Sequence, residues 1–268
     1  MPKASLDSVL RLLDARSGSY TEVRPARLGL LRVLAQVPGA AVAPDITELR
    51  VLLLADVLVR TAELRHLQVL TIVAAGEQAP SQWEALERAA TALGIHPPSA
   101  YASSGEVQAA PSGPIDVYLA SSGAGTDGGL NGVVTCVGAA RIHRTGEATR
   151  ELLAGYEAEP LAVRLALLSF PYHQPADLTE DMLARARTTV GHWRLQVAEW
   201  ANSPSRPVPA QLAGTIRSAF DDLDTVAVLA LLRGLASDPD QPPGAKFETF
   251  LYADRILGLD LPRDIGRT

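Results

Sequence analysis

Cysteine is almost missing from this chain: Cys136 stands alone among 268 residues. One thiol closes no internal disulfide and builds no cysteine-rich zinc site. Lysine is nearly as scarce, since Lys3 and Lys246 are the only lysines among 24 basic residues, a bias of coding composition more than of chemistry. Aromatic residues make up 5%, so the core has to be assembled from Leu, Val, Ile and Ala. No run approaches the ~18 uninterrupted apolar residues of a membrane span, and the N-terminus lacks the apolar stretch of a secretion signal, which points to a cytoplasmic protein with no membrane partner. Basic excess is missing too: the formal net charge is -6. A free-standing nucleic-acid binder draws affinity mainly from positive charge over phosphates, so the balance disfavours that class while leaving open a local patch for tRNA.

What is present is a globular composition, 47% hydrophobic and 20% charged, long enough for one large domain or two modest ones. The apolar stretch Leu28 to Ala35 reads as a buried strand ending at Pro38-Gly39, although Gly29 and Arg32 suit such a strand poorly. From Asp45 to Arg65, Leu49, Leu52, Leu53, Val57 and Leu58 recur at helical spacing. Val69 to Val73 is a second buried strand, so a βαβ unit with a parallel pair is expected. A helix over Pro80 to Leu93, a loop over Tyr101 to Pro114 and a strand over Ile115 to Leu119 follow, and then the glycine-rich stretch Ser121 to Gly129. After Gly146 the pattern turns helical, with helices expected at Glu147 to Tyr156, Pro160 to Ser169, Thr179 to Asn202, Pro209 to Ala219, Thr225 to Ala236 and Gly244 to Leu257. The fold class read from this order is a reduced α/β Rossmann-like core over residues 1–146 and an all-α helical bundle over 147–268.

Several ordered segments carry a family resemblance. Leu153-Ala154-Gly155-Tyr156 with Glu159-Pro160-Leu161-Ala162-Val163-Arg164-Leu165-Ala166-Leu167-Leu168-Ser169 resembles the segment that follows the signature lysine loop of cysteinyl-tRNA synthetases and mycothiol ligases. Tyr172-His173, Asp177 to Trp193, Ala219 to Thr225 and Ala253 to Leu261 are similar to later parts of the same bundle. In the first half, Pro44-Asp45-Ile46-Thr47-Glu48 falls on the family's Pro-His-Ile-Gly-His, and Leu93-Gly94-Ile95-His96-Pro97-Pro98 on its Leu-Gly-Ile-x-Pro-Pro. The resemblance implies a class I synthetase catalytic core, which in that family joins cysteine to an acceptor through cysteinyl-AMP.

The departures fall on the chemistry. Aminoacyl-adenylate formation needs positive charge or hydrogen-bond donors where the triphosphate breaks. The two histidines of the first motif are replaced here by Asp45 and Glu48, and its glycine by Thr47. Asp45-x-x-Glu48 is also a capping box, which would satisfy the helix end internally. The second motif aligns with Ala140 to Gly146 and contains no lysine, leaving His143 and Arg144 as its candidate phosphate ligands. The family's zinc cysteine corresponds to Gln36, and no histidine lies between Tyr118 and Asn131, so zinc is not expected. The insertion between the Rossmann halves is mostly missing, and no anticodon-binding domain is expected after Leu261.

Asp45, Thr47, Glu48, Asp127, His143 and Arg144 are therefore the candidate remnant of a nucleotide site, with Asp127 contributed by the glycine-rich stretch. No catalytic residue can be named. The leading expectation is a catalytically degenerate homologue acting as a binding or interaction module, with no cofactor and with a protein partner or a second copy as its target. ATP or an aminoacyl-adenylate remains open as a ligand under two alternatives: an ATP-dependent ligase or aminoacyl transferase with a rebuilt site, and a nucleotide-binding sensor.

Overall fold

A computed structural model describes residues 9–38, 44–76, 79–103, 113–121, 131–143 and 159–267. The chain opens with an antiparallel hairpin, β1 (Arg11–Asp14) and β2 (Ser19–Glu22). Then come β3 (Leu30–Gln36), α1 (Ile46–Glu63), β4 (Gln68–Ala75), α2 (Pro80–Ala92), β5 (Ala100–Ser103), β6 (Val117–Ser121), β7 (Val133–Val137) and β8 (Ala140–His143). The second half holds α3 (Pro160–Leu168), β9 (Ala176–Thr179), α4 (Glu180–Trp200), α5 (Ala210–Asp221), α6 (Thr225–Ser237) and α7 (Pro243–Leu257), closed by a 3-10 turn at Leu261–Asp264.

The main sheet is parallel with order β5-β4-β3-β6-β7. The chain steps outward from β3 to β4 and β5, then returns to the other side of β3 for β6 and β7. The reversal between β3 and β6 is the switch point at which open α/β sheets take their ligands. The expected βαβ unit is present, and the parallel register runs from Leu30↔Gln68 to Gln36↔Ala74.

Three local expectations are corrected. The first strand begins at Leu30, and Leu28 is fully exposed, because Gly29 turns the chain through a left-handed φ of 79°. Arg32 is accommodated on the central strand because its side chain lies on the less covered face beneath Gly113, where a Cβ would meet the guanidinium carbon at 3.2 Å. The stretch expected as a loop from Tyr101 contains β5, whose four residues pair with Ile72 to Ala75 of β4. The expected helix at 147–156 and the glycine-rich stretch beyond Ser121 lie outside the described residues.

Helix α1 is buried from Ile46 to Leu58 on every side, as a helix enclosed by protein has to be. It packs on β3, β4 and β6 on one flank and reaches β8, α2 and α7 on the others. One continuous apolar cluster runs from Val33 and Leu49 through Leu165 and Val190 to Phe250. Trp193 and Trp200 lie within it, both edge-on to Phe250 at 5.4 and 5.1 Å, which makes them core residues. The helical half also supplies β9, which pairs in parallel with β8.

The two halves are pinned by a buried ion cluster. Asp56 on α1 receives Arg164 Nη2 at 2.5 Å, Arg60 Nε at 2.8 Å, and both the backbone N–H and the Nδ1 of His96 at 3.1 and 3.0 Å. Burial by itself would raise the Asp56 carboxyl, but Arg164 and Arg60 overrule it and hold the group below its ordinary 3.8. Between that lowered value and 3.8 the unfolded chain binds the proton and the folded chain does not, so stability rises with pH across this window. The stability gap between the wild type and Asp56→Asn, read by urea unfolding, should therefore hold steady from neutral pH down to about 4 and shrink below it.

Candidate functional site

The site is built on the N-terminus of α1, which abuts the C-terminal end of the sheet near its switch point. Asp45 takes an extended conformation as N-cap, with φ -86° and ψ 148°. Its carboxylate accepts the N–H of Thr47 at 3.3 Å and also that of Glu48, while Glu48 Oε2 accepts the N–H of Asp45 at 2.9 Å. The capping box expected from the sequence is thus formed in both directions. Its consequence is electrostatic: the helix end that would attract an anion carries two carboxylates, and the N–H groups that would grip it are already engaged.

Thr47 closes the same place by volume. It is buried, and its hydroxyl donates to the carbonyl of Ala140 at 3.1 Å while accepting that residue's N–H at 3.2 Å. Glycine at this position would leave an opening between α1 and β8 that the threonine side chain fills. A triphosphate does not suit residues so arranged: each carboxylate about 4 Å from a phosphate oxygen would repel it by roughly 1 to 4 kcal/mol, depending on screening.

His143 ends β8, exposed, with Nε2 3.3 Å from Asp177 Oδ1 across the β8–β9 pair. The Thr47–Ala140 contact brings α1 and β8 side by side, so Asp45, Thr47 and Glu48 share a neighbourhood with the strand that carries His143. Asp127 and Arg144 lie outside the described residues. Gln36 sits exposed at the end of β3, while Ser121 is buried at the end of β6. Cys136 is half-buried on β7, and desolvation pushes its thiol up, away from nucleophilic use. Among the described residues no three His, Cys, Asp or Glu side chains group as a metal set.

Two buried arginines that hold α1 in its place in the fold have no counterpart among the sequence candidates. Arg50, one turn into α1, is 3% exposed and is held by backbone carbonyls. Its Nη1 donates to the carbonyls of Gly138 and Gln174 at 2.8 and 2.6 Å, and its Nη2 to that of Pro171 at 2.9 Å. Burial draws this guanidinium down to about 10, still protonated at neutral pH. It locks the start of α1 to the β7–β8 turn and to the loop before β9. Arg164, fully buried on α3, bonds the carbonyls of Leu257 at 2.6 Å and Leu93 at 3.0 Å besides Asp56. Both could have been noticed as single charges within otherwise apolar helical runs, Leu49-Arg50-Val51-Leu52 and Val163-Arg164-Leu165.

The chain is similar to curated proteins named L-cysteine:1D-myo-inositol 2-amino-2-deoxy-alpha-D-glucopyranoside ligase. That of Thermobispora bispora is 34% identical over 107 residues, 40% of this chain and 26% of the relative. That of Cellulomonas flavigena is 37% identical over 106 residues, 38% of this chain and 25% of the relative. That of Geodermatophilus obscurus is 35% identical over 115 residues, 41% and 26%. The chain thus spans about a quarter of the length of the curated relatives it matches. No family model matches it. In three dimensions it resembles a crystal structure from Campylobacter jejuni provisionally assigned as an arginyl-tRNA synthetase, with a TM-score of 0.52, 10% identity, and 89% of this chain and 90% of that one covered. The resemblance to the cysteinyl-tRNA synthetase and mycothiol ligase group, and the class I synthetase-like fold, are thereby borne out.

Proposed function

We propose that this protein keeps a class I synthetase-like scaffold as a binding or interaction module and does not form an aminoacyl adenylate. The observation that carries the reading is the N-terminus of α1: Asp45 and Glu48 cap it reciprocally, and Thr47 is packed onto Ala140 where a nucleotide would approach. Adenylate chemistry works by stabilising negative charge as the α–β phosphate bond breaks. A pair of carboxylates at that point acts in the opposite sense. The scaffold around them is maintained by the Arg50 and Arg164 networks, as a module selected for its surface would require.

Calorimetric titration of the purified protein with ATP, with cysteine and with a non-hydrolysable cysteinyl-adenylate analogue tests this. No heat of binding is expected from ATP or the analogue at concentrations where class I active sites saturate. Micromolar binding of the analogue would overturn the proposal and make a rebuilt ligase or a nucleotide sensor the correct reading.

A further inference from the structure

We propose a second binding site, independent of the end of α1, that accepts a small organic ammonium ion. A cavity of about 220 Å³ lies between α1 and α2 over β4. It is larger than the ~150 Å³ apolar cavity that admits a benzene molecule. Its inner wall is hydrocarbon, from Leu52 and Ala55 of α1, Val73 of β4, Ala90 of α2 and Ile95.

One polar group is left over inside it. Thr71 is 9% exposed and shares the cavity side of β4 with Val69 and Val73. Its backbone is satisfied by Ser99, whose hydroxyl accepts the Thr71 N–H at 3.2 Å and whose N–H donates to the Thr71 carbonyl at 2.8 Å. Among the described residues the Thr71 hydroxyl has no hydrogen-bond partner. That hydroxyl is open to the cavity, where it can accept a hydrogen bond from a ligand N–H.

The charge around the cavity selects the ligand. Glu63 of α1 and Glu87 of α2 also line it, both exposed and neither paired with a cation among the described residues. Asp56 and His96 face the cavity too, but the Asp56 carboxylate is already held by Arg60, Arg164 and the His96 ring. The ring of Tyr101, backed by Trp83 at 5.0 Å, completes the wall. Two uncompensated carboxylates and an aromatic face around a hydrocarbon pocket match an ammonium group on a compact apolar body, and they repel an anion.

Benzylamine, benzyl alcohol and benzoate are the probes, titrated into the full chain at low salt. Benzylamine should bind at roughly millimolar strength, benzyl alcohol about tenfold more weakly and benzoate not at all. Glu63→Gln/Glu87→Gln should weaken benzylamine about tenfold without altering the circular dichroism spectrum, because both side chains are exposed. Ala90→Met, which fills the cavity with a flexible apolar side chain, should abolish binding. Equal affinity for the amine and the alcohol, an unchanged constant in the double variant, or no binding of benzylamine to the folded protein would each overturn the proposal. None of these readouts involves Asp45, Thr47 or Glu48, so the site stands or falls apart from the reading of the α1 end.

Discussion

Arg164→Met should destabilise the protein by about 3 to 5 kcal/mol, the range for removing one partner of a buried ion pair. The side chain is 0% exposed and spans three elements, reaching Asp56 on α1, the carbonyl of Leu93 after α2 and the carbonyl of Leu257 at the end of α7. Methionine preserves most of the packing volume, so the loss reports polar bonds more than a cavity. It strands two carbonyls and leaves Asp56 with Arg60 and His96. Gly258 adds a geometric constraint, since a Cβ there would come within 2.8 Å of the Arg164 guanidinium; the left-handed glycine that caps α7 also makes room for the arginine. Urea unfolding at fixed m-value measures the effect. A loss below about 1 kcal/mol would mean that Asp56 and the carbonyls find other partners, and that the cluster is not what joins the halves.

Gly138→Ala should cost about 3 kcal/mol or more, at the upper end for forced overpacking. A Cβ at this position would lie 2.0 Å from the carbonyl oxygen and 2.2 Å from the carbonyl carbon of Gln174, backbone atoms that cannot swing aside. The two segments are bonded there, with Gly138 N–H donating to Tyr172 O at 2.8 Å and Ala176 N–H to Ala139 O at 2.9 Å. Any shift separates β8 from β9 and pulls the Gly138 and Gln174 carbonyls away from Arg50. Gly191→Ala is the control. That glycine is exposed within α4 and has nothing near its absent Cβ, so alanine should stabilise the helix by roughly 0.5–1 kcal/mol. Opposite signs from one substitution type at two glycines would establish that close backbone approach, and not glycine content, holds the β8–β9 junction.

The candidate site was readable from the sequence only where its bonds are local. Asp45 and Glu48 are three residues apart, so their reciprocal cap follows from residue types and a helix start. Thr47 looked like a lost glycine, but its bond to Ala140 spans 93 positions and needed the fold to appear. Arg50 finds acceptors 88, 121 and 124 residues away, and no spacing rule announces such partners. The cavity under α2 was equally hidden, because Thr71 reads as one more strand residue until its neighbours are in place.

The sequence by itself determined the long elements: α1, α2 and the described helices of the second half, each within a few residues, together with β3, β4 and β6. Periodicity over ten or more residues, or a dense apolar run between turn residues, is strong enough to show without partners. Tertiary structure alone decided the four-residue strands β1, β2, β5, β8 and β9, because a strand that short exists only through the ladder its neighbour supplies. It also decided the sheet order, and with it the switch point beside the α1 end. Buried charges were settled there as well: a guanidinium inside an apolar helix is unstable until distant carbonyls and Asp56 converge on it, and that convergence belongs to the folded chain.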